Sequence, residues 1–223
     1  MKQCWLLRRQ PLGETDWLAD VFTRESGIVH GTFNGKGVAN GKVATPDMHQ
    51  LFKADFAYSQ SLPRFKVIES SAPAELKDEA LVCALYLDEL LLQLLPREEP
   101  ADALFDLYQQ AISHLKSGQR ADVWLRVFEQ QLLLRAGYGV QWQTDSAGHP
   151  IAPQCYYDYE VGAGFSISEK GAWSGQQLLD AGQGDFLKPG VLRTARLVLR
   201  ETIDHFISRP LVSRELIGSI RGR

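Results

Sequence analysis

Leu81 to Leu95 constrains this chain more than any other stretch. Only Asp88, Glu89 and Gln93 interrupt its apolar residues. It is longer than an ordinary strand, and Leu, Ala and Glu favour helix. A helix apolar on nearly every side cannot lie at a surface with one inward stripe, so it must be a post surrounded by other elements. A bilayer span needs about twenty apolar residues without charges at mid-run, and Asp88 and Glu89 sit in the middle. The stretch reads as the buried helix of a soluble helical domain, stopped by Pro96.

Ahead of the post the pattern changes period. Cys4 to Arg9, Asp16 to Thr23, Ile28 to Phe33, Leu51 to Tyr58 and Arg64 to Glu69 read as short strands. In the second, Trp17, Ala19 and Val21 alternate with Leu18, Asp20 and Phe22, and Arg24-Glu25-Ser26-Gly27 turns the chain into the third. Asn34 to Pro46 is a glycine-rich loop, and Ser61-Leu62-Pro63 separates the last two strands. Five short strands suit a small closed barrel, because closure removes exposed edges, and the OB-fold is the common five-stranded solution.

Past the post, Leu104, Leu107, Tyr108, Ala111 and Leu115 recur at helical spacing up to Gly118. Asp122 to Ala136 is a further helix, with Trp124, Val127, Phe128 and Leu132 in register. The spacing lapses between Gly139 and Trp173, where Tyr156 to Glu160 and Gly164 to Ile167 read as a hairpin or extended insert. Ser174-Gly175-Gln176-Gln177 is a capping box opening a short helix to Gly182. Leu192, Ala195, Leu199, Ile203 and Phe206 stripe a last long helix that Pro210 ends, and Ser213-Arg214-Glu215-Leu216 caps a short terminal one. The resulting α+β division is an OB-fold at 1–72, a helical domain in two parts at 73–139 and 174–223, and a small insert at 140–173.

Charge decides where an anionic partner could sit. The net value is −3, but residues 1–75 hold nine Lys/Arg against eight Asp/Glu, and residues 191–223 hold seven against three. Residues 76–140 hold six against ten, and 141–190 two against six. A polyanion would approach the two ends of the chain and avoid its middle.

Catalytic and cofactor chemistry finds no residues to carry it. Gly37 to Val43 has three residues between its glycines and Val where a P-loop needs Ser or Thr. The five histidines form no HxxxH or HExxH pair, so no metal is expected. Cys4, Cys83 and Cys155 are far apart with no CxxC, which indicates neither disulfides nor a cysteine zinc site and points to a reducing cytoplasm. The opening Met1-Lys2-Gln3-Cys4-Trp5 has no signal-peptide pattern. Asp88 and Glu89 are adjacent, thus about 100° apart on a helix, and make no paired-carboxylate site. Glu89 could serve instead as acceptor for Arg126 or Arg135. No enzyme activity and no cofactor are expected.

The basic residues are the informative ones. Arg193, Arg196 and Arg200 recur at i, i+3 and i+7, a cationic stripe beside the apolar one. Arg209, Arg214, Arg221 and Arg223 follow, and clustered arginines can neutralise several phosphates at once. On the strands, Arg8, Arg9, Lys53, Arg64 and Lys66 interleave with Trp5, Phe52, Phe56 and Phe65, as in grooves that hold single strands by charge and stacking. Lys36 and Lys42 place two more cations in the glycine-rich loop.

Several local strings, in this order, resemble the RecO recombination-mediator family. They are Leu6-Leu7-Arg8-Arg9-Gln10-Pro11, Glu14-Thr15, Asp20 to Gly27, Lys36-Gly37, Ala84 to Leu91 with Leu94-Leu95-Pro96, Arg126-Val127-Phe128-Glu129, Gly137-Tyr138-Gly139, Trp173-Ser174-Gly175 and Leu211 to Leu216. The resemblance runs nearly end to end. It implies an N-terminal OB-fold, a helical domain and a small zinc-ribbon-like insert. It also implies binding of single- and double-stranded DNA, strand annealing, partnership with RecR, docking of the acidic-hydrophobic tail of single-strand-binding protein, and help in loading RecA, without catalysis. Three departures stand out. The loop after Lys36-Gly37 carries only Lys42 where relatives are arginine-rich. Cys155 stands alone where many relatives have four cysteines, so the insert lacks zinc ligands. Val127 follows Arg126 where relatives often pair two arginines. They point to weaker DNA affinity and more reliance on protein partners.

The DNA-binding residues expected are thus Arg8, Arg9, Lys36, Lys42, Arg64 and Lys66 on the barrel, with Arg193, Arg196 and Arg200 as a second patch. Arg120 and Arg126 are the candidates for gripping the partner tail's carboxylates, which an arginine fork suits. The expected location is the cytoplasm, with the nucleoid. The rival reading is an adaptor that keeps the fold and protein contacts with little or no direct DNA binding. It predicts affinity for the partner tail without affinity for oligonucleotides.

Overall fold

Alternation in the N-terminal stretch becomes a five-stranded antiparallel sheet: β1 (Lys2–Leu12), β2 (Asp16–Thr23), β3 (Gly27–Asn34), β4 (Leu51–Asp55) and β5 (Lys66–Ser70), ordered β3-β2-β1-β4-β5. The computed structural model describes residues 1–34, 45–57 and 62–221. It forms two compact units, 1–119 with 211–223, and 120–210.

In the first unit β1 runs three residues past the expected Arg9, through Pro11. β4 pairs only with Lys2 to Trp5, so Pro11 lies where β1 has β2 on one side alone among the described residues. A proline without an N–H is tolerated at such an edge. Cys4, Leu6, Ala19, Val21, Val29, Phe33, Phe52, Ala54 and Phe65 pack one face of the sheet into a buried cluster. The other face is apolar too. Phe22 meets Phe105 and Tyr108 at ring-centroid distances of 5.4 and 6.0 Å, and Trp5 meets Tyr108 at 5.5 Å.

Those rings belong to α2 (Asp102–Lys116), which packs beside α1 (Asp78–Leu94). As its composition demands, α1 buries Leu87, Leu90 and Leu91 completely. It also packs against α6 (Val212–Arg221), whose start differs from expectation. The acceptor at this helix end is Glu89 of α1, which takes hydrogen bonds from the Val212 and Ser213 amides at 3.2 and 3.1 Å and from Ser213 Oγ at 2.5 Å. Glu89 therefore serves a helix N-terminus and not an arginine, a role favoured because the exposed N–H groups there carry partial positive charge.

A parallel bridge joins Thr32 of β3 to Arg64, just ahead of β5. The Thr32 amide donates to Pro63 O at 2.9 Å, and the Phe65 amide donates to Thr32 O at 2.8 Å. Gly31 makes this approach possible: a Cβ there would fall 2.5 Å from Pro63 O and 2.6 Å from the Phe65 ring.

The second unit contains α3 (Ala121–Arg135), β6 (Tyr156–Glu160), β7 (Gly164–Ile167), β8 (Trp173–Ser174), α4 (Gly175–Gln183) and α5 (Val191–Phe206). Its small antiparallel sheet has the order β7-β6-β8, and α3 and α4 pack on α5. Trp142, Tyr159 and Phe165 form an aromatic group around it. The turn between Thr144 and Pro150 is built on Asp145, whose carboxylate accepts the Ala147 and His149 amides at 3.0 and 2.8 Å. Ser174 stands at the N-cap of α4, but its side chain makes no capping bond. The helix also passes the expected stop at Gly182 and ends at Gly184, at φ 80. Gly182 is used for packing instead, since a Cβ there would lie 2.5 Å from Trp142 Cβ. Among the described residues no three His, Cys, Asp or Glu are grouped to hold a metal.

Candidate nucleic-acid interface

On the sheet, the expected cations stand beside carboxylates. A bulge between Leu6 and Arg8 re-aims β1 so that Arg8 lies directly across from Asp20, which in turn lies across from His30. Arg8 donates from Nε to Asp20 Oδ2 at 2.8 Å and reaches it from Nη2 at 2.6 Å. Arg97, in the loop after α1, donates from Nη1 to Asp20 Oδ1 at 3.1 Å, and His30 Nδ1 lies 2.9 Å from the same oxygen. Burial pushes the Asp20 carboxyl up, but the His30 hydrogen bond and the Arg8 and Arg97 charges outweigh it and hold it below its usual value.

Arg9 donates to Pro46 O at 3.2 Å, stands 3.9 Å from Asp47 and lies over the Trp17 ring. Arg64 bonds Asp16 at 2.8 Å, and Lys53 bonds Glu69 at 2.8 Å. Lys66 is exposed on β5, across from Asp55, without an ion pair among the described residues. Lys36, Lys42 and Arg223 lie outside the described residues. Of the rings expected near these cations, Trp5, Phe52 and Phe65 are buried. They fill the interior and present no stacking face.

In the second unit, α5 buries Val191, Thr194, Ala195, Val198, Leu199, Thr202 and Ile203 on one side. Its 3.6-residue period turns Arg193, Arg196 and Arg200 outward on another, all exposed. Arg200 stands 3.6 Å from Asp204, one turn on. Arg193 and Arg196 have no carboxylate partner among the described residues. This is the least compensated basic face described.

The two partner-tail candidates occupy α3 differently. Arg120, at the N-cap, is exposed and donates from Nε and Nη2 to Asp122 at 3.0 and 2.9 Å. Arg126 is buried and paired with Glu129, with Nε lacking a hydrogen-bond partner. Sequence reasoning missed Arg97 and His30. His30 falls at the strand position facing Asp20, a signal that alternation carries, whereas nothing in the sequence ties Arg97 to a residue so distant.

The family model described as Recombination protein O C terminal matches residues 78–215. DNA repair protein RecO of Pseudomonas paraeruginosa (strain DSM 24068 / PA7) is 34% identical over 95% of this chain and 92% of its own length. DNA repair protein RecO of Nitrosospira multiformis is 33% identical, covering 96% of this chain and 92% of its own. The chain belongs to the RecO family. DNA repair protein RecO of Pseudoalteromonas translucida, 31% identical, covers 97% and 96%. RecO proteins are DNA repair mediators and not enzymes. No helix among the described residues is long and apolar enough to cross a membrane.

Proposed function

We propose that this RecO family member is a recombination mediator that binds single- and double-stranded DNA and anneals complementary strands. In this reading it docks the acidic-hydrophobic tail of single-strand-binding protein, works with RecR and helps load RecA, in the cytoplasm with the nucleoid. The observation that carries it is the α5 face, where Arg193 and Arg196 stand exposed beside Arg200 without carboxylate partners among the described residues. Annealing needs phosphates neutralised on two strands, and that is a binding function. Residues 1–72 are read as an OB-fold barrel, supported by the parallel bridge from β3 to Arg64. Residues 73–139 and 174–223 are read as the helical domain, and 140–173 as a small zinc-ribbon-like insert without zinc ligands, whose turn is held by Asp145 hydrogen bonds.

The paired sheet residues do not remove the barrel from the interface. Exposed ion pairs contribute about 0–1 kcal/mol, so a phosphate can displace Asp16 from Arg64 or Asp47 from Arg9. Arg120, held by its exposed pair with Asp122, can exchange that partner for the carboxylates of the tail peptide in the same way. Arg126 would act by opening its pair with Glu129.

The test is fluorescence anisotropy of a labelled single-stranded oligonucleotide at low ionic strength, with the tail peptide titrated separately. Binding of both supports the mediator. The adaptor reading is favoured by the net charge of −3 and by the carboxylates beside Arg8, Arg9 and Arg64. Peptide binding without oligonucleotide binding would establish it in place of the mediator.

A further inference from the structure

We infer that Arg8, Arg97 and His30, gathered on Asp20, form a seat for one phosphodiester group of a strand crossing β1–β3. The inference rests on the DNA-binding reading above and assigns a particular subsite to it.

Asp20 is only 1% exposed, and a carboxylate so placed is expensive unless it is paired and hydrogen-bonded. It is paired beyond need. Two guanidinium groups and an imidazole converge on its two oxygens, so the cluster keeps one uncompensated positive charge even with a neutral His30. The pairs Arg64–Asp16 and Lys53–Glu69 are one to one and cancel.

The donors that Asp20 does not use remain available. Arg8 spends Nε and Nη2 on the carboxylate and Arg97 spends Nη1, and their side chains are 42% and 50% exposed. Arg8 Nη1, Arg97 Nε and Nη2, and His30 Nε2 have no partner among the described residues. The planar guanidinium fork suits phosphate oxygens. Side chains already fixed by a buried anchor lose less rotamer freedom when they bind. Arg97 is held from the backbone as well, by the Ile28–Arg97 bridge and by the Glu98 amide donating to Ile28 O at 3.2 Å. Exposed Glu98 and Glu99 follow it in the chain. With a net charge of one and carboxylates nearby, the site fits a singly charged phosphodiester and disfavours a free phosphate dianion.

The experiment measures oligonucleotide affinity of the full chain across salt concentrations for wild type, R97Q, R97K and D20N, with urea midpoints recorded for each. The seat predicts that R97Q binds at least about fivefold more weakly, with the slope of log K against log salt smaller by about 0.7, the value for one contact to a single strand. R97K keeps the slope and loses part of the affinity, because it keeps the charge and loses the fork. D20N weakens binding although it removes a negative charge, a result no simple charge count gives. A wild type that fails to bind overturns the mediator reading together with the seat. A wild type that binds while folded R97Q matches it in affinity and slope overturns the seat alone. Should R97Q fail to fold, R97K with unchanged affinity overturns it. Displacement of the oligonucleotide by inorganic phosphate but not by chloride at equal ionic strength assigns the cluster to free phosphate and overturns the assignment to a strand.

Discussion

Asp88 interrupts the most apolar helix of the chain, and its surroundings explain how. Its carboxylate is buried between His49 Nε2 at 2.7 Å and Tyr108 OH at 2.6 Å, so each oxygen has its own partner. Burial pushes the Asp88 carboxyl up, against the opposing His49 and Tyr108 bonds, and pushes the Tyr108 hydroxyl well above its ordinary range. Removing one member of a buried hydrogen-bonded set leaves the rest unpaired. Asp88→Ala should therefore cost about 3 kcal/mol of folding stability in urea unfolding, and Tyr108→Phe, which keeps the rings packed on Trp5 and Phe22, about 1 kcal/mol. Asp20 gives the pH-dependent counterpart. Its folded value lies below the ordinary 3.8, so its contribution is complete above that pH and is lost as pH falls through the depressed value. Asp20→Asn should cost about 2 kcal/mol at neutral pH, and its gap to wild type should close in urea unfolding series taken below pH 3.8.

At the scale of elements, two close contacts hold the first unit together. Gly31 lets the segment at Pro63–Phe65 lie against β3, and Gly31→Ala should cost about 2 kcal/mol by overpacking, with faster hydrogen exchange at the Thr32 and Phe65 amides. Glu89→Ala should cost about 1 kcal/mol and speed exchange at Val212 and Ser213, while leaving the sheet amides unchanged. Periodicity revealed most of these elements: the alternation of Trp17, Ala19 and Val21 against Leu18, Asp20 and Phe22 gave β2 at its observed limits, and Tyr156–Glu160 and Gly164–Ile167 were legible as β6 and β7. The long-range partners were not legible. Glu89 finds Ser213, and Asp20 finds Arg97, through tertiary packing that no local pattern encodes. Gly182 misled for a related reason, since a breaker is overridden where a neighbour such as Trp142 needs the space. Of the expected site, the α5 stripe was legible from its i, i+3, i+7 spacing, whereas the carboxylates beside Arg8, Arg9 and Arg64 come from other strands and loops.

Over the whole molecule, the net charge of −3 gives no general attraction for a polyanion, so affinity must come from local excess. One such excess is on α5, where Arg193 and Arg196 have no carboxylate partner among the described residues and Arg200 stands 3.6 Å from Asp204. A guanidinium already paired with Asp releases less from the counterion atmosphere than a free one, so binding should depend on salt less steeply than a count of all the arginines would give. The decisive measurement is single-strand affinity against salt concentration for wild type and the triple variant R193Q/R196Q/R200Q, with folding checked by circular dichroism. Loss of at least about tenfold in affinity, with the slope of log K against log salt reduced by roughly 1.4 to 2, is expected if the α5 face cradles the strand. A folded triple variant that binds with wild-type affinity and slope would contradict it.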